Sequence, residues 1–550
     1  MEKVKKQIIF NAEELETSCA LLNNGKLEEY HIERSYDAPV SGSVYLGRIV
    51  NLETSLQAAF VDIGVEKNAF LHYWDMIPAT FDLDSDEMNE VDERALDDDG
   101  KPKKKTNIAE KLRMFLRTSA KRSKKLRENE KSRRKNKITI KDIPSLFRPG
   151  TELLVQVVKG PIGTKGARVT TNISIPGRYL VLLPYSDHIG LSTKIEKSSE
   201  RSRLRKILKE LDIPEGMGMI CRTVGEGRKA IYFQHDLNML LDMWQRVEEA
   251  LEKPKIPAVV YSEPTLLERS IRDIMTEDIN KIVVNTKPAF DLVNETLNKF
   301  GGKRLASKVK LYSRPTPIFE AFKIQQQVED IFKREVSLPN GGYICIDETE
   351  ALIAIDVNTG KGGAKRTGDQ PEVILQTNLE AAAEVARQLR LRNIGGQVVI
   401  DFIDMRSAKD RDTVYKHMRK LVKDDRAKTH VLALSRFGLM EMTRQREHES
   451  LKDTVYVKCP YCHGSGHIKS EISMSVEIQR RLHTVLRSHR GKEVRVIMHP
   501  EVLGRLKNED EQLFRDLESK FGRALSFRAD DLVHHEEFKL VDPVSGKEYH

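Results

Sequence analysis

The chain has 550 residues, a formal net charge of +9, 39% hydrophobic residues and five cysteines. That length supplies several domains with ample core, and five cysteines are too few for a disulfide framework. The start, Met1-Glu-Lys-Val-Lys-Lys-Gln-Ile-Ile-Phe10, lacks the apolar run of a signal peptide, and no apolar stretch approaches the length of a membrane span. We therefore expect a cytoplasmic protein with no membrane span. Its basic balance suggests a polyanionic partner, and position sharpens this. Residues 82 to 99 hold ten acids and one Arg, whereas residues 101 to 137 hold seventeen Lys or Arg and three acids.

In chain order, Ser43-Val-Tyr-Leu-Gly-Arg-Ile-Val50, Ala58-Ala-Phe-Val-Asp62 and Asn68-Ala-Phe-Leu-His72 read as closely spaced strands. The pattern resumes at Glu152-Leu-Leu-Val-Gln-Val-Val-Lys159, so a five-stranded barrel interrupted by a charged insertion at about 80–137 is the economical explanation. Within the insertion, Ile108 to Arg117 has apolar spacing for a short helix. Further short strands run from Thr170 to Gln234. An amphipathic helix follows over Asp236–Leu251, with Asp236 as its cap. Residues 331 to 453 alternate strand, helix and strand, an α/β pattern. Its hairpin joins Tyr343–Asp347 to Ala351–Asn358. Its helix spans Leu379–Arg392, started by Thr377 or Asn378 and stopped by Gly395 and Gly396.

Chemistry concentrates in Ala351-Leu-Ile-Ala-Ile-Asp-Val-Asn358 and Gln397-Val-Val-Ile-Asp-Phe-Ile-Asp404. Both read as buried strands, yet each carries a carboxylate where a core strand should have none. Alternation puts Asp356 and Asn358 on one face of the first and Asp401 on one face of the second. A buried unpaired charge is costly, so a metal ion, a basic partner or a strand end reaching solvent must compensate. Two Asp oxygens and an Asn carbonyl are hard ligands that suit Mg²⁺. The glycines after Asn358 do not form a phosphate-binding P-loop. That motif needs Gly at 355 and a hydroxyl at 362, where the chain has Ile355 and Gly362.

Cys459-Pro-Tyr-Cys462-His463 has three readings. A c-type haem attachment site conflicts with the absence of an export signal. A zinc site within one chain needs more ligands, which His463 or His467 would supply. The third, two chains each giving two thiolates to one zinc, is what the chain's family resemblance implies.

The motifs IAIDVNTG, TNLEAAAEVARQLRLRNIGGQVVIDFIDM, SRFGLMEMTRQR and CPYCHGSG resemble those of the ribonuclease E/G family in order and spacing. In front of them, the phrase ending in A-F-V-D-I-G-x-x-x-N-A-F-L-H resembles an S1-type OB-fold, with Phe60 and Phe70 as its surface aromatics. The resemblance implies a multidomain α/β and β protein. A support domain (1–38 and 268–331, RNase H-like) and an S1-like barrel (39–171) would precede a sensor for RNA 5′-monophosphates (172–267). An α/β nuclease domain (332–453), a zinc-link (454–468) and a small C-terminal α/β domain (469–550) would complete it. It implies a catalytic Mg²⁺ on Asp356 and Asp401 with Asn358 in support, and products with 5′-phosphate and 3′-hydroxyl ends. The sensor would use Arg222 and Thr223 with Gly177 and Val181, and Lys165 would contact RNA; Ser192 and Thr193 stand where the family often has basic residues. Zinc shared through Cys459 and Cys462 would make a dimer or tetramer. The chain ends soon after the zinc motif, similar to the shorter ribonuclease G type. The expected activity is Mg²⁺-dependent cleavage of single-stranded RNA in RNA processing and decay, with the ribosome or the degradation machinery as further partners. The alternatives are a non-catalytic RNA-binding or ribosome-associated factor and a metal-dependent DNA nuclease.

Overall fold

Alternating buried and outward residues organise each sheet of the computed structural model, which describes residues 5–35, 41–76, 143–161, 166–252, 255–276, 278–301, 303–360, 370–423, 425–445, 450–489 and 493–549. The chain divides into two compact units, Met1–Lys452 and Asp453–His550. The first sheet begins with the antiparallel strands Lys6–Ala12, Glu16–Asn23 and Lys26–Arg34. Ile279–Val284 and Val309–Leu311 extend it in parallel from the other side of Lys6–Ala12. Ile8 and Phe10 pack with residues of helices Leu266–Ile274 and Lys287–Gly301, while Ile9, Ala20 and Leu22 enter a second cluster. Period-two alternation thus loads both faces of this sheet.

The expected five-stranded barrel is present. Val44–Glu53, Ala58–Asp62, Ala69–His72, Arg168–Thr170 and Glu152–Lys159 pair in that order, and Val44–Glu53 closes the ring on Glu152–Lys159. Ile49, Val61, Leu71, Val155 and Val169 fill it. A sixth strand, Ala258–Tyr261, adds to its outside along Val44–Leu46. The charged insertion and its short helix lie outside the described residues, as does Lys165.

Between the barrel and the α/β region in the chain, a four-stranded sheet runs in the order Ile189–Leu191, Gly218–Cys221, Leu180–Leu183, Ile175–Pro176. Two readings need correction here. Residues 170 to 234 also contain a helix, Ser198–Glu210, whose buried stripe of Leu204, Ile207 and Leu208 is interspersed with charge. The next helix starts at Ala230, six residues before the expected cap, so Asp236 sits inside it.

The α/β region forms a six-stranded sheet in the order Glu335–Ser337, Tyr343–Glu348, Ile353–Asn358, Gly396–Asp401, Leu439–Arg444, Thr429–Val431. The hairpin pairs Tyr343 with Asn358 as expected. The strands carrying Asp356 and Asp401 run parallel, so a crossover must join them, and helix Gln370–Leu391 supplies it. That helix starts nine residues before Leu379, so neither Thr377 nor Asn378 is its cap. Ala381, Val385 and Leu389 from it, with Val414 and Met418 from helix Ala408–Lys423, join one core with Ile353, Ile355, Val398 and Ile400.

The second unit has helices Glu471–Ser488, Pro500–Asn508 and Glu511–Phe521 and a three-stranded sheet. In it Val494–Met498 lies between Leu525–Ala529 and Phe538–Val541. Among the described residues no helix is long and apolar enough to cross a membrane.

Candidate active site and nucleic-acid interface

Burial alternates along Ile353–Asn358 so that Ile353, Ile355 and Val357 enter the core and Asp356 is exposed. Along Gly396–Asp401, Val398 and Ile400 are buried and Asp401 is exposed. The two carboxylates are register partners across the parallel pair. Of the three compensations open to such charges, solvent access is thus visible directly: both sit on the sheet's open side, opposite the helices. Asn358 Nδ2 donates to Asp356 Oδ2 at 2.6 Å, fixing one carboxylate from two residues along the strand. Burial, then the charges of Asp356 and Asp404, raise the Asp401 pKa above the usual carboxylate range. Like charges held together this way favour a bound cation, and all-oxygen donors match a hard divalent ion.

Asp404 and Asn378 complete the arrangement and were missed as site residues. Asn378 is fully buried within its helix; its Nδ2 donates to the Ile403 carbonyl at 2.8 Å and its Oδ1 accepts the Ile403 N–H at 3.1 Å. This clamp holds the turn from Asp401 to Asp404 once the strand has ended. Gly438, at φ +79°, closes the opposite side. A Cβ there would lie 3.0 Å from the Phe402 carbonyl oxygen and 3.4 Å from Asp404 Oδ1. An amide inside an otherwise apolar helical stripe was the available signal for Asn378. Read as one strand on to Asp404, the second segment puts Asp404 by alternation on the face away from Asp401; the strand instead ends at Asp401, and the turn brings Asp404 back to it.

On the barrel, Phe60 and Phe70 are cross-strand partners, both half-buried, with ring centroids 6.1 Å apart in an edge-on arrangement. They alternate with the core residues Ala59, Val61, Ala69 and Leu71, so both rings lie on the outer surface. Arg168 is Phe70's register neighbour on the next strand, and its Nη2 pairs with Asp75 Oδ2 at 3.0 Å. Aromatic faces next to basic side chains suit single-stranded nucleic acid.

Gly177, Val181 and Arg222 also come together. Arg222 Nη1 donates to the Gly177 carbonyl at 2.5 Å and its Nη2 to Asp273 Oδ1 at 2.6 Å. Val181 pairs with Ile220 on the strand leading to Arg222, and exposed Thr223 opens the next turn. Asp236, 2% exposed, accepts the backbone N–H groups of Arg178, Tyr179 and Leu180, fixing the turn whose carbonyl receives Arg222. Burial raises its pKa against those three donors. Gly177 is needed because a Cβ there would approach Asp236 Oδ2 to 2.7 Å. Ser192 and Thr193 precede Lys194, whose Nζ donates to the carbonyls of Asp425 and Arg426.

Cys459 is exposed and Cys462 half-buried. The backbone N–H groups of Gly466 and Gly464, then Cys459, lower the Cys462 thiol pKa, which suits a thiolate that ligates a soft metal. Neither His463 nor His467 joins them in a cluster of three close ligand groups among the described residues.

The ribonuclease E/G family model matches residues 174–447, and that of the RNase E/G thioredoxin-like domain matches 458–543. Ribonuclease G of Escherichia coli (strain K12) is 34% identical over 97% of this chain and 99% of its own. Ribonuclease G of Haemophilus influenzae shows the same identity and coverage. The chain belongs to the ribonuclease E/G family. Ribonuclease E of E. coli is also 34% identical over 94% of the chain, but over only 44% of its own length. The ribonuclease E/G match encloses Arg222, Asp236, Asp356, Asn378, Asp401 and Asp404, so the carboxylate cluster and the Arg222 network both fall within the family's own segment.

Proposed function

We propose that this ribonuclease E/G protein is an endoribonuclease of RNA processing and decay that cleaves single-stranded RNA with Mg²⁺ and favours 5′-monophosphorylated substrates. The observation that carries the reading is the in-register pair Asp356 and Asp401 at the exposed ends of two parallel strands, with Asp404 beside them. Asp356 and Asp401 would hold the metal, with Asn358 fixing Asp356. A bound Mg²⁺ supplies Lewis-acid stabilisation of the phosphoryl oxygens and lowers the pKa of water. Water's oxygen bonds to phosphorus, the bond from phosphorus to the 3′-oxygen breaks, and that oxygen takes a proton. One product then carries a 5′-phosphate and the other a 3′-hydroxyl. Asn378 keeps the carboxylates in place from beneath. Phe60 and Phe70 stack bases, with Lys165 contacting the strand nearby. Arg222 and Thr223, on the frame of Gly177 and Val181, receive the terminal phosphate through charge-assisted hydrogen bonds.

Cys459 and Cys462 form half of a zinc site that a second copy completes, giving a zinc-linked dimer or tetramer. The basic half of the insertion offers attachment to RNA, the ribosome or degradation machinery. The test compares fluorescent single-stranded oligonucleotides with 5′-monophosphate, 5′-hydroxyl or deoxyribose backbones, with Mg²⁺ and after chelation. Expected is Mg²⁺-dependent cleavage of both RNAs, faster for the monophosphate. Tight RNA binding without cleavage would leave a non-catalytic RNA-binding factor, and equal cleavage of the deoxyribose strand a general nuclease.

A further inference from the structure

The second unit carries a ligand cluster that RNA cleavage does not use. Helix Pro500–Asn508 is entered through His499, whose Nδ1 accepts the Glu501 N–H at 3.4 Å. Glu501 lies in its first turn, where a carboxylate suits the helix's positive end. Those two roles alone require no ligand.

His535 changes the reading. It is 2% exposed, and its buried Nδ1 has no hydrogen-bond partner among the described residues. Buried polar groups are ordinarily satisfied, so a buried imidazole without a hydrogen bond at Nδ1 stands out, and it is the other nitrogen, Nε2, that faces the carboxylates. Its Nε2 lies 3.6 Å from Glu501 Oε2 and 3.7 Å from Glu471 Oε1, and its ring centroid is 5.4 Å from that of His499. One ligand atom from each of His499, Glu501 and His535 falls within 4.8 Å of the others.

The donors come from separate segments. Glu471 starts helix Glu471–Ser488, His499 and Glu501 start the next helix, and His535 lies in the connection from Leu525–Ala529 to Phe538–Val541. We infer that His499, Glu501 and His535 bind a divalent transition-metal cation of the Zn²⁺ and Co²⁺ class, with Glu471 alongside. Two imidazole nitrogens and a carboxylate oxygen suit these ions, whereas Mg²⁺ and Ca²⁺ favour all-oxygen sets. The role is structural. The ion ties the His535 connection to the starts of two helices. That connection also supports the cysteine loop: His534 Nε2 is 2.6 Å from the Tyr461 carbonyl oxygen and its ring packs 4.2 Å from the Tyr461 ring.

The test uses the full chain with Cys459→Ser and Cys462→Ser together, so that the thiolates cannot contribute, stripped with chelator and titrated with Co²⁺. Expected, with excess Mg²⁺ present to fill the carboxylate site, is one tightly bound Co²⁺ per chain, with ligand-field absorption but no thiolate-to-cobalt charge transfer, displaced by Zn²⁺. Adding His499→Gln or Glu501→Gln should weaken binding at least about 100-fold, since loss of an outer-sphere partner alone costs roughly 10–100-fold. His535→Gln should do the same, and circular dichroism separates a lost ligand from a lost fold. If that buried substitution unfolds the unit, the two more accessible ones still decide. The inference is overturned if the double cysteine variant binds no Co²⁺ at micromolar concentration, or if His499→Gln and Glu501→Gln leave its affinity unchanged. His535 would then simply pack between Glu471 and Glu501 with no ion among them. Because the readout is bound metal, neither result depends on whether the protein cleaves RNA.

Discussion

Charge is arranged oppositely in two regions of the first unit. Around Arg222 the signs alternate: Arg222 reaches Asp273 at 2.6 Å, Asp273 meets Arg272 at 2.9 Å, and Arg272 meets Glu263 at 2.9 Å. At the ends of Ile353–Asn358 and Gly396–Asp401, three carboxylates gather instead, and two of them raise the pKa of the third. An alternating network satisfies itself and holds a shape. A like-charged cluster is left wanting a counter-ion, which is why the proposed chemistry is placed at the second region and the first is read as frame. Arg222 sits in the first of these, its guanidinium shared between the Gly177 carbonyl and Asp273.

The sharpest way to break this contrast is Asp401→Asn. Cleavage of single-stranded RNA should fall at least about 10³-fold, because the metal's charge stabilisation depends on that carboxylate. The variant should fold normally, as Asp401 is exposed; Asp356→Asn should behave alike. Wild-type turnover in either variant at ordinary Mg²⁺ would remove the metal assignment. Next in size is Asp236→Ala in the paired region, which strands three backbone donors. Charge-assisted hydrogen bonds contribute about 1.5–3 kcal/mol each, so urea unfolding should show a loss of at least about 3 kcal/mol. A loss under about 1 kcal/mol would mean that the turn at 177–180 is held by other contacts.

Arg222→Gln asks whether the paired region also recognises substrate. It should slow cleavage of 5′-monophosphorylated RNA toward the 5′-hydroxyl rate, by about 10–100-fold for a charged contact of that strength. An equal loss on both substrates would assign Arg222 to the frame alone. The smallest effect concerns acid. Burial works to raise the Asp273 pKa, but Arg272 and then Arg222 more than offset it, lowering it from 3.8 to about 2. A depressed folded-state pKa gives stability that is present above the unfolded value and lost as pH falls toward about 2. Asp273→Asn should therefore flatten the loss of stability between about pH 5 and 2 by roughly 1–2 kcal/mol, read from urea melts at each pH. An unchanged acid limb would show that the pair contributes nothing there.

The carboxylate strands were legible because Ile353, Ile355, Val398 and Ile400 repeat at period two and leave the Asp residues on the other face. Phe60 and Phe70 were legible only through the S1-type resemblance, since alternation alone does not say which face of a short barrel strand is the core. Asp236 was misplaced because Asp before an apolar stripe is a good cap signal. Its actual partners, Arg178 to Leu180, lie 56 to 58 residues earlier, beyond any local pattern. Helix Ser198–Glu210 escaped because seven of its thirteen residues are Glu, Lys or Arg, which masks three buried aliphatics. Asn378 was misread in the same way as Asp236: a residue type common at helix starts was placed at one, when a long-range backbone contact had put it mid-helix.

The first sheet also constrains synthesis. Lys6 and its neighbour Asn280 are 274 residues apart in the chain. At about 5–20 residues per second, the amino-terminal three strands, complete at Arg34, leave the ribosome roughly 12 to 50 s before the strand ending at Val284 that completes them. During that interval the Ile8 and Phe10 face has none of its eventual cover from residues 266–309, while the barrel, whose ring closes by residue 170, can already assemble. The order of birth is thus barrel before base, and a nascent chain stalled near residue 250 would present a folded ring beside an adhesive, half-built sheet, a natural target for holding chaperones.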